Sequence, residues 1–440
     1  MTPFAARRAS LCAQMQLGAV AIIPTAPEVP RNGDSDYPYR FDSSFYYLTG
    51  FAEPDSVLVL VRGGDADRAI LFCRQKNAER EIWDGFRYGP EGARAAFGFD
   101  AAYPIEDLDS EIARLLANAP AVYYALGHNG ALDTQMKTWL KSVRAQSRIG
   151  VTAPATAHDI VPMIDEMRLF KDASEQATML RAASISGLAH ARAMRTTRPG
   201  MHEYEIEAEL LHEFRRHGAQ APAYTPIVAA GANACVLHYI ANNAVCNAGD
   251  LILIDAGCEL DGYASDITRT YPVNGRFSPA QKALYQLVLD AQAAALAAIV
   301  PGQPYTGMHE AALNVLVQGM LDLGLVDKSK YGNVQDAIAG RAHLQFYMHG
   351  TGHWLGMDVH DVGAYRDLKD PAKPSRPLAP GMALTVEPGI YVRPAAGVPE
   401  EYWNIGIRIE DDVVVTPSGY TILSGSAPKQ VTDIEALMRG

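Results

Sequence analysis

The chain has 440 residues and a formal net charge of -12, with 48% hydrophobic and 20% charged residues. That length exceeds one typical core, so two domains are expected, with the balance of an ordinary globular protein. No basic run offers the clustered Lys and Arg that phosphate binding requires, which argues against a nucleic-acid partner. No stretch approaches about 18 consecutive apolar residues, which argues against a membrane-spanning helix.

At the start, Arg7 and Arg8 precede an apolar stretch in the manner of a signal peptide, but Gln14 and Gln16 interrupt it. A helix followed by a strand over 18–23 is expected instead. Short apolar strands over 56–61 and 69–72 alternate with helical stretches such as 107–116, the texture of an α/β domain covering residues 1–165. The pattern changes around 163–175, where Asp172 and Glu175 have the spacing of a capping box and open a long helix. A second domain over 166–440 follows. Its helices are expected over 203–217, ended by Gly218, from Ser278-Pro279 with Gln281 completing the cap, and over about 307–323. Strands over 251–258, 263–273, 382–387 and 406–415 make this domain α+β.

The five cysteines, Cys12, Cys73, Cys235, Cys246 and Cys258, are odd in number and form no CxxC pair. They argue against a disulfide framework or a thiolate zinc site, and a reducing cytoplasm is the expected compartment.

One faint duplication carries chemistry. A strand ending in Asp255-Ala256-Gly257 is echoed by one ending in Glu387-Pro388-Gly389, and each is followed by a second acidic strand, carrying Asp266 and Glu410. Two such halves facing each other bring four carboxylates together. With Asp261-Gly262 as a two-residue hairpin loop, Asp255 faces Thr268 and Asp266 is its diagonal neighbour; with Leu260-Asp261 as the loop, Asp255 lies opposite Asp266. Either register puts both carboxylates on one face, where like charges repel and require a proton or a cation. In the later strand Arg408 and Glu410 share one face, and Ile407 and Ile409 the other.

Most of the histidines, His190, His202, His212 and His217 among them, sit in stretches without companions. The exception is the run from His349 to Asp361, which holds His349, His353 and His360. Gly350, Gly352 and Gly356 make a helix improbable there, so the zinc-protease pair at helical spacing is rejected. A glycine-rich loop instead lets one histidine approach a metal closely. His238 is a further candidate for the same cleft. Four carboxylates and one imidazole, Asp255, Asp266, Glu387, Glu410 and His353, form an oxygen-rich set suited to Mn2+, Co2+ or Mg2+. Two dications balance the four carboxylates, and a pair of ions sharing a water makes hydrolysis the natural reaction.

These residues closely resemble aminopeptidase P, a family of pita-bread metallopeptidases. The likeness lies in Leu253 to Gly257, Asp266 to Arg269, His349 to Gly363, Val386 to Gly389 and Ile407 to Asp411. It extends through Asp36 to Arg40, Tyr47 to Phe51 and Glu81 to Trp83, and so covers nearly the whole chain. The resemblance implies an α/β N-terminal domain followed by an α+β pita-bread catalytic domain. It also implies release of an N-terminal residue that precedes proline. By motif position, Asp255 and Asp266 hold one ion; Asp266, His353, Glu387 and Glu410 hold the other, with Glu410 bridging. Mn2+ is the expected metal, and a hydroxide shared by the two ions the expected nucleophile. Glu387 is the implied proton shuttle, and His360 and His238 are implied catalytic partners. His360 contacts the scissile carbonyl, while His238, His349, Tyr391 and Arg408 line the proline side. Trp83 is implied to come from a neighbouring subunit of a homo-oligomer, a dimer or tetramer.

Prolidase, a dipeptidase on the same fold, shares the metal residues, but the first-domain matches favour aminopeptidase P. Creatinase-like enzymes and metal-free binding proteins of this fold are expected to have lost ligands, and methionine aminopeptidase to lack the first domain. The loop between Tyr365 and Pro380 departs from the family pattern in length, so the substrate-rim arginine is either Arg366 or Arg376.

Overall fold

The computed structural model describes residues 2–439. It forms two compact units, Met1–Arg168 and Leu169–Gly440. The division at residue 165 expected from composition falls inside helix Val161–Leu169.

The first unit is built on a six-stranded mixed sheet. Val20–Pro24 lies near its centre, antiparallel to Val57–Val61 and parallel to Ala121–Tyr124. Val20 and Ile22 point to one face, where Ile112 and Leu116 of helix Leu108–Leu116 and Leu132, Met136 and Trp139 of helix Gly130–Arg144 cover them. The three- and four-residue spacing of these side chains is what lets each helix bury one stripe. A helix, Ala78–Asp84, carries Trp83.

In the second unit, helices Ala173–Thr196 and Glu203–Arg216 pack together, as do Pro279–Ala297 and Thr306–Asp322. Capping boxes of Asp172 with Glu175 and of Ser278 with Gln281 start two of the four helices, satisfying backbone N–H groups that have no partner in the first turn. Between the pairs lie antiparallel strands: Ile227–Ala230, Leu251–Asp255 and Thr268–Pro272 in one half. The other half holds Ala383–Val386, Asp411–Thr416 and Gly419–Ile422, with Gly389–Val392 pairing Ile405–Arg408. One apolar core joins both halves, running from Leu169 to Ile434.

The register at the first acidic pair follows from the Asp261-Gly262 turn: Leu260 pairs with Tyr263 and Asp255 with Thr268. The long strands expected from the sequence are, however, interrupted. Pairing lapses at Ala256 and Gly257, at residues 265–267, at Glu387 and Pro388, and at Ile409 and Glu410. Beyond Pro388 the chain resumes as the strand Gly389–Val392. The first two breaks have identifiable contacts behind them. The backbone of Ser265 lies so close to Gly257 that a Cβ there would meet its carbonyl. Asp266 gives its N–H to the Asp412 carboxylate at 3.1–3.2 Å instead of to a ladder partner.

Arg269 ties the two halves together. Fully buried, it pairs with Asp411 at 2.7 Å and donates to the carbonyls of Thr268, Glu410 and Ala427 at 2.9, 2.5 and 3.0 Å. Lys429 and Ser424 complete the shell of Asp411 at 2.5 and 2.6 Å. Burial of Asp411 opposes its charge, but Arg269 and Lys429 outweigh this and hold its carboxyl below the usual range. Removing one member of a buried pair leaves the other uncompensated. Arg269→Met is therefore expected to destabilise the protein by roughly 3–5 kcal/mol, read as a lowered urea midpoint, and a loss under about 1 kcal/mol would show that Lys429 alone suffices.

Candidate active site

A cavity of about 600 Å3 opens in the second unit, and Asp255, Asp266, His353, Glu387 and Glu410 all line it. Each carboxylate stands at the end of a strand or at a break, where the interrupted ladder frees the backbone to aim the side chain inward. His353 sits on the glycine-rich loop. Gly352 lets that loop press against strand Ala383–Val386, since a Cβ there would run into the carbonyl of Thr385. His353 N–H donates to Thr385 Oγ1 at 3.1 Å, and its ring Nδ1 to the Trp354 carbonyl at 2.9 Å. That second bond fixes the tautomer and leaves Nε2 facing Asp266 at 3.3 Å and Glu387 at 3.5 Å.

Asp266, His353 and Glu410 offer ligand atoms that all lie within 4.8 Å of one another. Asp255 joins them through Tyr224, whose hydroxyl is 2.5 Å from an oxygen of both Asp255 and Asp266. One hydroxyl proton can serve one of these contacts at a time, so the other sets oxygen against oxygen unless a proton or cation intervenes. The titration behaviour agrees. Burial, reinforced by the neighbouring carboxylates, lifts Glu410 well above its usual range and Glu387 up to about 7. Asp255 is also raised by burial, against the pull of Arg408. Burial works against the charges of Asp266 and His353 as well, but their mutual hydrogen bond outweighs it, lowering Asp266 and raising His353 to about 9. The donor set is therefore short of positive charge, buried and oxygen-rich, with one imidazole nitrogen aimed inward. These residues fit a divalent cation.

Arg408 and His349 line the cavity, whereas Tyr391 is fully buried behind them and does not, and a directed hydrogen-bond chain runs through all three. Arg408, buried, pairs with Asp255 at 2.6 Å and donates to the Tyr391 hydroxyl at 3.0 Å. Tyr391 donates to His349 Nε2 at 2.8 Å, and His349 Nδ1 donates to the Gly350 carbonyl at 2.7 Å. Burial, with Arg408 nearby, pushes His349 down to about 4, so this ring is neutral. His360 stacks on His353 with ring centroids 3.9 Å apart, and His238 reaches the cavity from the loop after Gly231–Cys235. Trp83 belongs to the first unit, where it is 82% exposed.

Neither Arg366 nor Arg376 lines the cavity. Backbone pairing at Arg366 with Ser375 and between Asp367 and Pro374 folds their loop back on itself, and Arg376 lies over the Phe170 ring at 5.7 Å. Three contributors were not read from the sequence. Tyr224 and His309, which bonds Thr351 at 2.9 Å behind Glu387, are lone residues without a motif. Asp412 was open to recognition, because a third acid directly after Glu410 and Asp411 on a buried strand needs a partner.

The model of metallopeptidase family M24 matches residues 177–417, and that of the aminopeptidase P N-terminal domain residues 4–123. The chain belongs to metallopeptidase family M24. Its two-halved second unit is the pita-bread fold of that family, behind an aminopeptidase P type N-terminal domain. It is 46% identical to the Xaa-Pro aminopeptidase of Escherichia coli over 99% of this chain and 97% of that one. The Haemophilus influenzae Xaa-Pro aminopeptidase is 43% identical over 99% and 96%. Among solved structures, Pseudomonas aeruginosa aminopeptidase PepP superposes with a TM-score of 0.96 at 50% identity, covering 99% of this chain and 97% of that one. Zn-substituted E. coli aminopeptidase P in complex with product gives 0.95 at 46%, covering 99% and 98%.

An M24 metal site in this protein must shed protons to load. His353 ligates only as neutral imidazole, and its value near 9 keeps it protonated at pH 7 in the metal-free state. Titrating Mn2+ into metal-free protein is expected to release at least one proton, and affinity to rise from pH 6 to pH 9. Calorimetry in buffers of different ionisation enthalpy reads this, and a heat independent of buffer would contradict it.

Proposed function

We propose that this chain is an X-Pro aminopeptidase that uses two divalent metal ions to remove the first residue of peptides with proline in second position. The observation that carries this reading is the meeting of Asp255, Asp266, His353, Glu387 and Glu410 on one cavity. They lie beside the neutral ring of His349, which the buried Tyr391 holds from behind. The likeness to Xaa-Pro aminopeptidases over nearly the full length of both chains supports it. Asp255 and Asp266 would hold one ion, and Asp266, His353, Glu387 and Glu410 the other, with Glu410 shared. Such ions, expected as Mn2+, supply Lewis acidity toward the scissile carbonyl and lower the pKa of water.

The chain's own residues do the rest. Glu387, which lines the cavity, serves as shuttle between water and the departing proline nitrogen. That nitrogen belongs to a tertiary amide with no N–H to donate. A wall of rings therefore suits it: His238 and His349 pack the pyrrolidine, with the buried Tyr391 behind them linking His349 to Arg408. His360, on the cavity rim, contacts the scissile carbonyl.

Trp83 is assigned to the substrate site of a neighbouring copy in a homo-oligomer, a dimer or tetramer. An exposed apolar patch of Ile82, Trp83 and Phe86, exposed by 82, 82 and 67%, supports this. All five cysteines are buried and free, which suits the reducing cytoplasm. Among the described residues no helix is long and apolar enough to cross a membrane.

Mn2+ is expected to stimulate release of arginine from Arg-Pro-Pro, and a chelator to abolish it. Asp255→Ala is expected to lower kcat/KM by more than the roughly 10–100-fold typical of losing an outer partner of a metal site. Turnover of X-Pro dipeptides alone would replace this reading by prolidase. Trp83→Ala is expected to weaken peptide turnover while bound metal, measured by atomic absorption, stays unchanged; parallel loss of both would make Trp83 structural.

A further inference from the structure

His238 reaches the cavity on a loop that also contributes Leu237 and Ile240 to the wall. Its ring is exposed and makes no hydrogen bond among the described residues, so its place is set by the backbone that carries it. Packing does little for that backbone on its outer side, where Val236 and Ile240 are 47% and 61% exposed. Inside, Leu237 and Tyr239 pack on a small apolar cluster and Arg393 binds the Cys235 carbonyl, and a buried carboxylate outside the site adds four hydrogen bonds along the loop.

Glu203 is the first residue of helix Glu203–Arg216 and is fully buried. Its Oε1 accepts from Ala230 N–H at 2.8 Å and Asn233 Nδ2 at 3.1 Å. Its Oε2 accepts from the Tyr239 hydroxyl at 2.7 Å and Ala244 N–H at 2.9 Å. These donors come from the start, the first turn, the middle and the end of the loop, and Tyr239 directly follows His238. Four donors satisfy a carboxylate, and the helix N-terminus favours its negative charge. Asn242, at φ 46°, adds a second tie, bonding Val228 N–H at 3.0 Å and the Pro226 carbonyl at 2.8 Å.

We infer that Glu203 is a positioning residue for peptide hydrolysis: it staples the loop over 230–244 and thereby fixes His238 at the cavity. This rests on the reading that His238 contacts the peptide. Glutamine in place of Glu203 keeps the shape but cannot keep the staple. Its NH2 must face either Ala230 N–H or Ala244 N–H, and neither backbone donor can turn round.

The test compares E203Q, H238A and the double variant of the metal-loaded enzyme on Arg-Pro-Pro, with metal content and hydrogen exchange of residues 231–244. E203Q is expected to keep its metal, to speed exchange in that segment, and to lower kcat/KM by about 10–100-fold through displacement of His238. The double variant is expected to be no worse than H238A alone. Additive losses, or an E203Q enzyme with full turnover, overturn the proposal while leaving the role of His238 standing. An H238A enzyme as active as the parent removes that role and the proposal with it. Should E203Q not fold, Tyr239→Phe deletes one donor only; the same pattern at smaller size supports the staple, and unchanged turnover with unchanged exchange overturns it.

Discussion

A buried carboxylate is stable only so far as donors, protons or cations balance it, and this protein gathers Asp255, Asp266, Glu387, Glu410 and Asp412 within one region of its second unit. Arg408 meets Asp255 directly and His353 meets Asp266 and Glu387, while Glu410 accepts from the Thr268 hydroxyl. The deficit is visible in Glu387 and Glu410, both held above their ordinary range by burial and by neighbouring carboxylates. A site arranged in this way attracts a divalent cation because Arg408 and His353 offset only part of its charge.

Such an arrangement demands a scaffold that keeps like charges close without letting the chain relax away from them. The two halves of the pita-bread unit supply it by crossing at Arg269, which binds main-chain carbonyls beside both Asp266 and Glu410. Thr268 adds a bond of 2.7 Å to Glu410 and one of 3.1 Å from Arg408. The mutual position of the acids is thus fixed by neutral and cationic donors that stand behind them. In the same way Thr351, held by His309 and Tyr347, presents its carbonyl to the N–H of Glu387. Loop positions are held by the same device at larger reach, as Glu203 does for the segment bearing His238.

Much of this was legible along the chain because it is local. Capping pairs at Asp172 and Ser278 marked helix starts, and the Asp261-Gly262 turn fixed the register that sets Asp255 opposite Thr268. Both effects act within a few residues, so sequence carries them. The strand breaks at Asp266 and Glu410 were not legible, because they depend on Asp412 and Thr268, which approach from distant parts of the chain. Apolar alternation reads straight through such a break. Tyr224 and His309 were invisible for the same reason: a lone tyrosine or histidine has a role only when folding brings it to a partner.

The sequence by itself determined which residue types were available for the site, their strand parity and the two-halved plan, since periodicity and turn chemistry are properties of neighbouring residues. It also made a proton or a cation necessary, because either hairpin register puts two carboxylates on one face. Only the tertiary structure decided how the acids divide between strand end and strand break, which groups neutralise them and which loop carries His238 to the cavity. Those outcomes follow from contacts between residues more than a hundred positions apart, such as Arg269 with Asp411 and Arg408 with Asp255, and no local pattern encodes such distances.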